Sequence, residues 1–175
     1  MQVLKAIAMT SVAALALTLG PGVAPAAADV SRFVDNLNDA PRRIDVEWVR
    51  VNNGNRIEVT TSFENLRPHR ISGLTVYFDT RRRDRGPEFL IGGGLNQGTD
   101  WQAARIENWR ARNRHLLHRC DSDLRHHYQS DRATFSIARN CFHDPRQIRV
   151  SVKAQTTTRH DWAPKRHRFY DWVRN

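Results

Sequence analysis

Short stretches in which apolar and polar residues alternate, each closed by turn residues, set the strongest constraint on how this chain folds. Ile57, Val59, Thr61 and Phe63 fall on one parity of a run whose other parity is polar. Ile44, Val46 and Trp48 alternate with Asp45 and Glu47 just before it. A period of two puts successive side chains on opposite faces of a strand, so each run predicts a strand with one wet face. Asn52-Asn53-Gly54-Asn55 between the runs tolerates positive φ and predicts a hairpin. Leu74, Val76 and Phe78 give a third strand, and Phe89-Leu90-Ile91 a short fourth. Gly92-Gly93-Gly94 then invites a bulge or a close backbone approach. Trp101 to Trp109 reads as a weaker strand, and Arg110 to Arg119 as an arginine-rich loop or a single helical turn. Leu124–Tyr128 and Ala133–Ala138 flank the turn at residues 129–132, and Ile148, Val150 and Val152 form the last well-patterned strand. No segment holds three turns of helical periodicity. About eight short strands at this spacing predict an all-β domain, an antiparallel β-sandwich of jelly-roll-like or meander type.

The first 28 residues read differently. Lys5 gives a positive start, Ala6 to Leu19 is apolar, Gly20-Pro21-Gly22 breaks it, and Ala26-Ala27-Ala28 precedes Asp29. An apolar core this short fits a cleaved secretory signal better than a membrane helix, which needs ~20 residues. The expected organisation is a signal peptide at 1–28, a mixed lead-in at 29–42, where Ser31 to Leu37 starts a short helical or irregular segment, and one sandwich domain at 43–175. No later apolar run is long enough to span a bilayer, so a secreted, extracellular, monomeric protein is expected.

Cys120 and Cys141 are the chain's two cysteines, and they bracket the hairpin built from Leu124–Tyr128 and Ala133–Ala138. In an exported chain they are expected to pair. Closing this loop of 22 residues stabilises the fold by about 3 kcal/mol in the chain-entropy account.

Charge sets the expected partner. Lys and Arg number 28 against 18 Asp and Glu, and all but three of the 28 are arginine. A guanidinium grips phosphate, sulfate or carboxylate in a two-pronged fashion. Such an excess also arises from codon usage in a GC-rich genome. The candidate polyanion-binding residues cluster at three places: Arg81, Arg82 and Arg83; Arg110, Arg112 and Arg114; and Lys165, Arg166 and Arg168. Trp162, Phe169, Tyr170 and Trp172 interleave with the last group, either to stack on a ligand or to pin the terminus onto the sandwich.

The segments DTRRRDRGPEF and CFHDPRQIRVSV, Cys120 and the ending DWAPKRHRFYDWV, with the early hairpin and signal, resemble small secreted actinobacterial proteins. Members of that group look like β-sandwich modules and have no established activity. The resemblance implies a fold and a compartment, and no mechanism.

Catalytic and metal signatures are sparse. Asp79, Asp84 and Glu88 offer carboxylates in one loop as weak calcium candidates, but Arg81, Arg82 and Arg83 oppose a dication there, and the loop is expected to be indifferent to calcium. His115, His118 and His127 would share a zinc only if their segment were helical. Glu88, Glu107, His118 and His126 with nearby arginines would suit a small basic ribonuclease. No nucleophile elbow is present, so no catalytic residue and no cofactor is assigned. The expected function is a non-enzymatic module that associates with anionic envelope polymers or other polyanions. A small hydrolase such as a ribonuclease and a carbohydrate-binding module are the alternatives.

Overall fold

The computed structural model describes residues 29–175; the expected signal peptide, residues 1–28, lies outside the described residues. Twelve strands form two antiparallel sheets packed face to face: β1 (Val30–Val34), β2 (Val46–Asn53), β3 (Arg56–Phe63), β4 (Gly73–Asp79), β5 (Phe89–Gly94), β6 (Trp101–Arg105), β7 (His115–Leu116), β8 (Ser122–His127), β9 (Arg132–Ala138), β10 (Gln147–Gln155), β11 (His160–Ala163) and β12 (Val173–Arg174). One sheet runs β1-β2-β3-β9-β8, the other β11-β10-β4-β5-β6-β7, with β12 pairing to β10. The chain is an all-β sandwich. Val49, Val51, Ile57, Val59, Phe135 and Ile137 from the first sheet face Val76, Phe78, Ile91, Val150 and Val152 from the second. Phe142, on a 3-10 turn after β9, seals one end with its ring 4.4 Å from Phe89 and 4.9 Å from Phe78. Cys120 and Cys141 are joined by a disulfide, with Cα atoms 5.6 Å apart at the open end of the β8–β9 hairpin.

Four local expectations are corrected. Residues 30–34 of the lead-in form β1 and add a fifth strand to the first sheet, because β2 offers them an open edge. The strand at 44–48 contains a bulge between Val46 and Trp48 that moves parity by one. Val49 and Val51 therefore enter the core and Trp48 turns outward beneath the guanidinium groups of Arg32 and Arg132, while Asp45, ahead of the bulge, is buried in the connection before β2 with its Oδ2 accepting from the Asn38 N–H. The strand at 101 ends at Arg105, and residues 106–114 loop out before β7. Finally, β10 is not the last strand: Asp161 to Ala163, in the segment expected only to stack on a ligand or pin the terminus, pairs with β10 as part of β11. The glycine run does permit a close approach, since a Cβ on Gly93 would meet Leu124 Cδ2 at 2.8 Å and Trp101 Cβ at 2.9 Å.

Candidate functional site

Residues of β10 that alternate with its core positions point outward, and antiparallel register sets them beside outward residues of neighbouring strands. One row crosses five strands: Trp162, Lys153, Thr75, Gly92 and Gln102. The next row holds Ser151, Tyr77, Leu90, Ala104 and Leu116. Gly92 leaves the floor low, and a cavity of about 360 Å³ opens there, walled by Gln102, Arg114, Lys153 and Gln155. None of its lining residues is acidic. Burial, and after it the charge of Arg166, holds the Lys153 ammonium below the ordinary lysine value. Burial, then Arg166 and Arg110, likewise depresses the His167 imidazole. Arg114 thus shares the cavity with Lys153, and Arg166, from the terminal segment, acts on both Lys153 and His167.

Aromatic rings bound one end of this trough. Trp109 lies 5.3 Å from Tyr77, 4.7 Å from Phe169 and 5.0 Å from His167, and Trp162 stacks on Tyr77 at 5.6 Å. Lys153 Nζ stands 5.7 Å from the Trp162 ring centroid. These rings fix the β6–β7 loop and the terminal segment onto the sheet, so the cations carried by both segments are held rather than trailing.

Arg81, Arg82 and Arg83 are exposed in the β4–β5 loop. Arg81 pairs with Asp84 at 3.4 Å, and Arg82 donates to Gln147 and covers Trp172. Arg112, Lys165 and Arg168 are exposed on the loops that flank the trough. Lys153 is not among the residues that the charge pattern singles out. Its parity, opposite to that of Val150, Val152 and Ala154, is the signal that could have found it.

Asp79, Asp84 and Glu88 do not converge. Asp79 is fully buried, its Oδ2 accepting from Arg149 Nε at 2.7 Å and its Oδ1 from the Arg81 N–H at 3.0 Å. Glu88 Oε2 accepts from the Thr80 N–H at 2.7 Å. Burial pushes both carboxyls up, and Arg149 pulls Asp79 partly back. The histidines are dispersed as well: His126 contacts the Gly94 carbonyl and stacks on Tyr128, while His115 and His118 line different cavities.

A different set of carboxylates does meet, where the β1–β2 connection passes β11. Oxygen atoms of Asp39, Asp45 and Asp161 all lie within 4.8 Å of one another. Burial pushes the neighbouring Asp35 up to about 7, against a pull from the Asn36 N–H, and Asp161, Asp39 and Asp45 push it further. Burial also lifts Asp161 to about 6, opposed by the Val46 N–H. The Tyr170 hydroxyl, facing Asp35 and Asp161, is raised for the same reasons. Both carboxyls hold a proton more tightly folded than unfolded, where the value is about 3.9. Their contribution to stability is therefore complete below about pH 4 and is lost as pH rises through 6 to 7. After discounting for the partial exposure of Asp35, the loss comes to roughly 2 kcal/mol. In metal-free buffer the melting temperature is expected to fall by roughly 5 °C between pH 5 and pH 8. The Asp35→Asn/Asp161→Asn variant should flatten that slope; an unchanged slope would clear the cluster of responsibility.

No protein-family model, curated protein or solved structure matches the chain.

Proposed function

We propose that the protein is an exported, monomeric, non-enzymatic binding module that holds anionic polymers along the outer face of the β11-β10-β4-β5-β6-β7 sheet. The observation that carries this reading is the trough itself, in which Lys153 and Arg114 share a cavity without an acidic residue. Like charges drawn together in a partly desolvated place raise one another's free energy, and an anion relieves that cost. The net charge adds a diffuse attraction over roughly a Debye length. The trough adds a location, and its low glycine floor admits an extended chain.

Retention on immobilised polyphosphate, RNA and a teichoic-acid-like polymer at 0.15 M salt tests this reading. The Lys153→Gln/Arg114→Gln variant is expected to bind about tenfold more weakly for each cation removed. Replacing Arg81, Arg82 and Arg83 together with glutamine should cost less. Equal losses would reduce the binding to net charge, and no retention by the unaltered protein would end the proposal. Preference for a neutral glycan over all three polyanions would move the assignment to a carbohydrate-binding module.

One further observation favours a second reading. Glu88, Glu107 and His115 line a cavity of about 580 Å³ together with Arg81, Arg85 and Arg105. A carboxylate, an imidazole and guanidinium groups are what RNA cleavage by general acid–base chemistry requires. His115, rather than His118 or His126, is the histidine beside these carboxylates. Clearing in an RNA activity gel that Glu107→Gln and His115→Ala both abolish would support a ribonuclease, and an intact gel would dismiss it.

A further inference from the structure

From the oxygen cluster beside β11 we infer that the protein binds one calcium ion, held by Asp39, Asp45 and Asp161. Two oxygens bound to a single Ca²⁺ at roughly 2.4 Å can stand no more than about 4.8 Å apart. The three carboxylates meet that limit pairwise. Asp45 and Asp161 are 1% and 4% exposed, and none of the three carboxylates makes a salt bridge among the described residues.

The second observation concerns what these oxygens lack. Asp45 Oδ2 accepts from the Asn38 N–H at 2.8 Å, but its Oδ1 is buried with no donor. The neighbouring Asp35 Oδ2 and Tyr170 Oη are also buried and unpartnered, and Tyr170 is only 9% exposed. An ionised carboxylate only accepts, so a buried, unpaired one calls for a cation or a proton. The set is all oxygen, with no sulfur or imidazole, which suits a hard cation. Calcium takes six to eight oxygens in flexible geometry, whereas magnesium demands near-ideal octahedral placement and resists losing its water. Asp39 is exposed and comes from the loop, so the ion has a route in and closes the loop onto the sandwich as it binds. Residues 35–45 on one side and Asp161 on the other would thereby be clamped by one ion.

This inference does not depend on the polymer-binding reading. Its test is thermal unfolding of the purified protein at pH 8, after EDTA treatment, with 1 mM CaCl₂ or MgCl₂ restored. Calcium is expected to raise the melting temperature by about 5 °C or more, and magnesium by clearly less. Asp161→Asn should remove the calcium response. So should Asp39→Asn, whose exposed position leaves folding untouched. Asp84→Asn/Glu88→Gln should keep it. No calcium response in the unaltered protein, an equal magnesium response, or a response that survives Asp39→Asn and Asp161→Asn would each overturn the assignment. Loss of the response in Asp84→Asn/Glu88→Gln would overturn it as well, by moving the ion to the β4–β5 loop.

Discussion

Arg149→Ala is expected to destabilise the protein by about 3 kcal/mol, and to lower its melting temperature by roughly 10 °C. Asp79 is fully buried, and Arg149 supplies its charged partner through Nε and Nη2. Removing the guanidinium leaves a carboxylate that must either stay charged without compensation or take up a proton. Packing suffers too, since the Arg149 guanidinium lies 4.7 Å from the ring centroids of both Phe169 and Trp172. The side chain is 30% exposed, which places the cost at the lower end of the range for broken buried pairs. Adding Asp79→Asn should restore at least half of the missing stability, because it removes the orphaned charge. Chemical denaturation of the two single variants and the double variant measures the coupling. A cost below 1 kcal/mol for Arg149→Ala, or no recovery in the double variant, would show that the pair does not hold the terminal segment.

Comparable in size is the cross-link. The Cys120→Ser/Cys141→Ser variant is expected to lose about 3 kcal/mol, roughly 10 °C in melting temperature, through the entropy restored to its unfolded chain. The native state feels the change as well. The β8–β9 ladder already aligns Ser122 through His127 with Arg132 through Ile137. What the bond adds is a clamp on the 3-10 turn at Arg139–Phe142, which carries Phe142 into the core. Without it that turn frays first. Faster amide exchange at residues 139–143 should accompany the lower melting temperature. An unchanged melting temperature, or two reactive thiols in the unaltered protein after denaturation without reductant, would contradict this role.

These effects bear on the arginine excess, which composition alone could assign either to function or to codon usage. The structure divides it. Arg149 neutralises Asp79. Arg139 donates to the Asn53, Gly54 and Pro145 carbonyls, tying the β2–β3 turn to the segment before β10. Arg56 bridges Ser136 and Asp121. Those three serve the architecture, whereas Arg114 lines the Lys153 cavity and Arg166 lies close enough to depress the Lys153 ammonium. Counting arginines could not have separated the two groups, because composition does not say which guanidinium meets a partner distant in the chain.

The sequence by itself determined the class of fold, the positions of most strands and the pairing of the cysteines. Each of these rests on local pattern: a period of two over five to nine residues, turn residues between runs, and two cysteines at the ends of one hairpin. Where that pattern misled, at Trp48, a single bulge reversed the parity, and the bulge depends on how β2 meets β3. Everything that resembles a site was decided by tertiary structure. Arg149 meets Asp79 across 70 residues, and Asp161 meets Val46 across 115. Lys153 joins Thr75, Gly92 and Gln102 because β10, β4, β5 and β6 lie side by side in one register. Neighbours within a strand are set by bond geometry, but neighbours across a sheet are set by strand order and register, which burial of the whole core selects at once.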